Sequence, residues 1–161
     1  MSKIGLLFYG LIVVLICQAW SACPPKPPAE CRSFLELSLE QRSVEFQTYP
    51  LEKQLEIYLC AMKTEPPNSS LAYSIADRGE QAVPVVVAKL KSLKNEGDQE
   101  DVIYVLEVMS DRGYLRGKKE VISQIRDVVD AMKLDLIKNR SSERLRKIQV
   151  NSGVKPFTYT P

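Results

Sequence analysis

At 161 residues and a formal net charge of +2, the chain is long enough for one domain and close to neutral. That balance argues against broad nucleic-acid binding or adhesion to anionic membranes as the main role. The lack of any histidine excludes a Ser-His-Asp triad, Cys-His catalysis and histidine-ligated metals from within this polypeptide.

In chain order, Met1-Ser2-Lys3 precedes an apolar run from Ile4 to Ile16. Small residues Ala19, Ser21 and Ala22 follow, then Cys23 and Pro24-Pro25-Lys26-Pro27-Pro28. A cationic start, a short apolar core and small residues before a cut describe an export signal over residues 1–22. The apolar run is short for a spanning helix, which needs roughly 20 apolar residues. Ser21-Ala22-Cys23 resembles the lipobox of bacterial lipoproteins, with Trp20 where that family usually has Leu. The resemblance implies that Cys23 receives a diacylglycerol and becomes the new amino terminus, a lipid anchor in the cell-envelope membrane. Cys17 fits less well because the bulky Ile16 precedes it. Cleavage after Ser21, or an uncleaved anchor from Ile4 to Ala22, are the alternatives. All three place the body outside the cytoplasm. Residues 23–34 then read as a Pro-rich tether, extended at about 3.1 Å per residue and semi-rigid.

With Cys17 removed and Cys23 acylated, Cys31 and Cys60 remain. An even pair in an oxidising compartment favours a disulfide. It would close a loop of about 28 intervening residues, worth on the order of 3 kcal/mol. The other reading is a buried Cys60 and an exposed Cys31 thiol.

Residues 35–149 carry helix signals. Ser38 with Gln41 fits a capping box, opening a first helix with Leu39, Val44 and Phe46. Pro50 suits the first turn of a second helix, striped by Leu51, Leu55, Tyr58, Leu59 and Met62. The stretch Glu65–Ser69 separates it from a third helix, which carries Leu71, Ala72, Ile75 and Ala76 and stops at Gly79. A fourth begins near Pro84; its Val85-Val86-Val87 could form a buried strand, but helical punctuation flanks it. Gly97-Asp98 is expected to break the chain and cap a fifth helix, with Val102, Ile103, Val105, Leu106 and Met109, ending at Gly113. The sixth and longest runs from Val121 to Ile137, and Leu145 and Ile148 continue its spacing. Residues 150–161 form an irregular tail in which Phe157 and Tyr159 are candidates to cap the domain end.

Asp77-Arg78-Gly79 recurs as Asp111-Arg112-Gly113, 34 residues on, and Pro50 and Pro84 share that offset. A period in this range marks stacked helical hairpins, which bury their apolar faces only by stacking. The segment Leu71–Leu93 resembles a HEAT or armadillo-type repeat, with a Gly turn and an Ala-Val-Pro start to its second helix. Glu100–Met132 is similar but has Lys118 in place of the proline. The resemblance implies an all-α, right-handed solenoid of about three hairpins: helices one with two, three with four, five with six. It also implies a protein-binding role, with the second helix of each hairpin on the concave face.

The chain has no Gly-rich phosphate loop, no Gly-x-Ser-x-Gly elbow and no Cys-x-x-Cys. No cofactor or metal is expected, and no enzymatic activity. Glu52, Glu56, Asp77 and Asp111 are the carboxylates that would serve a glycoside-hydrolase alternative. A structural envelope component without a discrete ligand is the other. Asn68-Ser69-Ser70 and Asn139-Arg140-Ser141 match the N-glycosylation pattern, relevant only in a eukaryotic secretory route. Lys138, Arg140, Arg144, Arg146 and Lys147 form a basic run, expected to be a solvated helix face or an attractor of anionic headgroups. The expected function is therefore a membrane-tethered envelope lipoprotein that binds an envelope protein and no nucleic acid.

Overall fold

The computed structural model describes residues 29–155, with side chains from residue 31. Regular structure there is entirely helical: α1 (Ala29–Leu35), α2 (Leu39–Thr48), α3 (Leu51–Ala61), α4 (Leu71–Ala76), a 3-10 turn (Glu80–Ala82), α5 (Val83–Ser92), α6 (Glu96–Asp111), α7 (Lys119–Ala131) and α8 (Asp135–Asn151). The all-α expectation holds, and Val85–Val87 is helical. Cys23, Phe157 and Tyr159 lie outside the described residues.

Local chemistry sets most boundaries. The Ser38 hydroxyl accepts the Gln41 N–H at 3.2 Å, and the Gln41 side chain accepts the Ser38 N–H at 3.0 Å, completing the capping box of α2. Pro50 is the N-cap of α3. α6 starts earlier than expected: Asn95 accepts the Asp98 N–H at 3.1 Å, so Gly97 lies inside the first turn instead of breaking the chain. Within the span expected as tether, α1 already folds and buries Cys31 and Phe34. On α2 only Phe46 is buried; Leu39 and Val44 stand out in solvent.

The long sixth helix of the sequence pattern is two helices. The N–H groups of Lys133 and Leu134 donate to the Glu96 carboxylate at 2.8 and 2.9 Å. Those donors would otherwise continue the helical ladder, and Met132 is extended at ψ 141. The chain therefore turns between α7 and α8, although Leu145 and Ile148 keep the apolar spacing and are buried.

The helices form two rows. α4, α6 and α8 lie side by side in one, and α3, α5 and α7 in the other. Across the rows α3 packs on α4, α5 on α6 and α7 on α8, with α1 on α3. The expected partners, α2 with α3, α4 with α5 and α6 with α7, are one helix out of phase with this. α6 is central and touches α3, α4, α5 and α8. Its Val102, Ile103, Val105, Leu106 and Met109 are fully buried, each worth about 1.5–3 kcal/mol of transfer free energy. A single apolar cluster runs from Phe34 to Ile148.

Candidate interaction surface along the α4–α6–α8 row

The helix ends in this row are tied one to the next. Arg78, just past α4, donates to the carbonyls of Gln47 at 2.7 Å and Tyr49 at 3.0 Å, and to the Gln54 side chain at 3.3 Å. That reaches the C-terminus of α2, where carbonyls lack helical donors and a cation is favoured by the helix dipole. Arg112, just past α6, repeats the move one helix on. It donates to the Tyr73 carbonyl at 3.1 Å and pairs with Asp77 at 2.6 Å, at the end of α4. Asn151, at the end of α8, donates to Asp111 at 2.6 Å and Ser110 at 3.3 Å, at the end of α6. Gly79, Gly113 and Gly153 follow these rungs, all with positive φ, near 81°, 81° and 71°. The two Asp-Arg-Gly segments thus have a mechanical meaning, and Asn151-Ser152-Gly153 stands at the corresponding end of α8 with its bond made from Asn151. Polar substitution and a 40-residue step after Gly113, against 34 before it, hid that correspondence in the sequence.

A second regularity joins α6 to α8. Glu100, Tyr104, Glu107 and Asp111 recur at helical spacing on α6, and Arg140, Arg144, Lys147 and Asn151 recur at the same spacing on α8. The two stripes meet in parallel at a constant offset. Arg140 pairs with Glu100 at 2.7 Å and Lys147 with Glu107 at 3.2 Å. Arg144 pairs with Glu107 at 2.5 Å, and its guanidinium carbon lies 4.6 Å from the Tyr104 ring centre. Glu100 and Glu107 are buried, and each meets its cations from α8; removing those cations would leave a buried charge unpaired. Three of the five cations in the basic run are therefore held by α6, a fourth, Lys138, donates to the Asp130 carbonyl, and the run is not a free anionic-lipid patch.

Next to this seam Tyr104 donates its hydroxyl to that of Tyr73 at 3.3 Å. The bond to Tyr73, with partial burial, pushes the Tyr104 phenol up to about 12. Tyr73 itself is half-exposed. Tyr73, Tyr104, Arg112, Arg140 and Arg144 thus place aromatic rings and guanidinium groups on one helical row, the residue types enriched where proteins dock. Beneath the row, Asp101 is raised to about 6, first by burial and then by Glu100 and Asp98. The Tyr58 hydroxyl donates to the Asp101 carbonyl at 3.0 Å, and burial holds that phenol well above its usual range. At the N-terminus of α6, the Lys133 and Leu134 N–H donors hold Glu96 below the ordinary glutamate range.

Other expected residues are placed as follows. Cys31 and Cys60 form a disulfide with Cα atoms 6.4 Å apart, tying α1 to α3. Glu52 and Glu56 lie on an exposed part of α3, Glu56 paired with Lys53 at 3.3 Å. Asp77 and Asp111 sit in the other row, each bound to its rung partner, so the hydrolase carboxylates are not gathered at one centre. In the glycosylation patterns, Ser70 donates to Asn68 at 2.6 Å, and Ser141 is fully buried. Among the described residues no group of three or more Cys, Asp or Glu is placed to hold a metal ion. No helix among them is long and apolar enough to cross a membrane. Sequence reasoning missed Glu100, Tyr104, Glu107 and Asn151; their equal spacing on two segments was the available signal. Compared with protein-family models, curated proteins and solved structures, the chain matches none of them.

Proposed function

We propose that this chain is a cell-envelope lipoprotein, anchored through Cys23, whose helical stack is a HEAT-like protein-binding module. The observation that carries the module is the series of helix-end bonds from Arg78, Arg112 and Asn151, each tying one helix of the row to the end of the helix before it with different donors and acceptors, as expected of helices stacked in sequence. On this proposal the two rows are a short right-handed solenoid, and the partner docks on the α4–α6–α8 row, around Tyr73, Tyr104 and Arg140. The envelope location is supported by the signal-like residues 1–22, by Cys23 and by a disulfide suited to an oxidising compartment. The lipid would confine the module to a surface and raise its effective concentration near membrane partners.

Intact-mass and N-terminal peptide spectrometry on protein from its native membrane tests the anchor. A mature chain starting at acylated Cys23 is expected; a start at unmodified Ala22 or Met1 overturns it. Cross-linking in the same membranes tests the module. One stoichiometric protein partner, lost on Tyr73→Ala with helicity unchanged, is expected; partner-free protein, or capture indifferent to that substitution, overturns the docking row.

A further inference from the structure

α2 and α8 stand at opposite ends of one row. The bonds from Arg78 to the end of α2 put α2 before α4, and α8 follows α6. Each end is unlike the buried helices between them. Beside α2 an open groove of about 640 Å³ runs between α1 and α2, with Phe34, Leu37 and Tyr49 along it and Glu40 and Glu45 among its lining. Val44, 71% exposed, belongs to the same groove. The segment 29–48 carries four carboxylates against two arginines.

The far end has the opposite character. α8 turns Leu145, Ile148 and Gln149 inward and Leu136, Glu143, Arg146 and Val150 outward. Leu136 is 71% exposed and Val150 56%. α8 carries five cations against two carboxylates. Three of these cations are held by Glu100 and Glu107 of α6, but on the outer face Arg146 is exposed and Lys147 keeps 47% of its side-chain surface. An amphipathic helix with apolar residues and cations on its outer face is matched by an apolar groove with acidic walls.

We propose that the occupant of the α1–α2 groove is α8 of a second copy of this chain, so that copies join head to tail along the row. Inside one chain each helix of the row packs beside its predecessor, and the contact between copies would extend the row by packing of α8 in the groove. The interface joins two different surfaces, so nothing closes it and it builds open chains of copies. This goes beyond the partner-binding proposal and does not depend on it: the groove and the outer face of α8 lie at the row ends, away from Tyr73 and Tyr104.

The test is sedimentation of the full chain in density-matched detergent. The wild type should give masses that grow with concentration. Leu136→Glu blocks one end and Val44→Glu the other. Both sites are exposed, so helicity should be unchanged, while each variant alone loses association by at least about tenfold, equivalent to about 1.4 kcal/mol. A 1:1 mixture should then give a species of two chains and no larger, because one open head and one open tail remain. A wild type that stays single, a blocked variant that still assembles as the wild type does through another surface such as residues 4–16, or a mixture that does not pair would each overturn the proposal.

Discussion

Asp101 is the residue whose charge sits least comfortably. Its carboxyl is raised from 3.8 to about 6 by burial and by neighbouring Glu100 and Asp98, against weaker pulls from Lys63 and Arg144. Between those two values the folded state binds more protons than the unfolded state. Stability contributed by this group therefore falls as pH rises from about 4 to about 6, and the full penalty stands at neutral pH. Asp101→Asn keeps the shape and removes the charge. Because the site is only partly shielded, screening reduces the gain to about 1 kcal/mol at pH 7. Urea denaturation of wild type and variant at pH 4 and pH 7 should show a difference at pH 7 that vanishes at pH 4. A difference independent of pH would mean that the carboxyl is not desolvated.

At the scale of elements, the end-of-helix rungs separate backbone need from side-chain need. Gly113 has φ 81° and open space where a Cβ would stand. Gly113→Ala therefore meets no clash, and its penalty is the left-handed backbone alone, about 1–2 kcal/mol. Arg112→Ala instead removes the bonds to Tyr73 and Asp77 and should loosen α4 against α6. Hydrogen exchange distinguishes the two: Arg112→Ala raises exchange in 71–79, whereas Gly113→Ala acts mainly at the end of α6. Equal protection in 71–79 for both variants would show that the rung holds nothing. These elements also mark what was legible in the sequence. Cap residues and Gly stops act over three or four positions, so Ser38, Pro50, Gly79 and Gly113 were readable along the chain. The break at Lys133 was not, because its cause is Glu96, 37 residues earlier and adjacent only after folding. Hairpin phase was illegible for a related reason. An alternating stack has no local mark that says which neighbour each helix packs on more closely. The polar seam between α6 and α8 escaped because charged stripes read as solvated faces until a complementary stripe is brought against them.

At the scale of the whole molecule, cohesion is uneven, and the disulfide bears on that unevenness. α6 is buried on nearly all sides, whereas α2 buries only Phe46 and α1 is seven residues long. A helix as short as α1 does not persist alone in water. Its hold includes packing on α3, the contacts of Phe34 with Phe46 and Tyr49 at 5.8 and 6.4 Å between ring centres, the Arg42 bond to the Leu35 carbonyl and the Cys31–Cys60 bond. The loop closed by that bond spans α1, α2 and most of α3, so its entropic value is on the order of 3 kcal/mol. Reduction removes a constraint on the weakest part of the stack and none on α5–α8. The expected result is local opening before global unfolding. Trypsin should cut the reduced protein after Arg32 and Arg42 under conditions where the oxidised protein resists, while the segment 83–151 keeps its exchange protection. If reduction instead lowers protection uniformly across α3–α8, the first two helices fold as one cooperative unit with the core. In that case the stack would depend on its first end as much as on its centre, and an anchor attached there would load the entire domain.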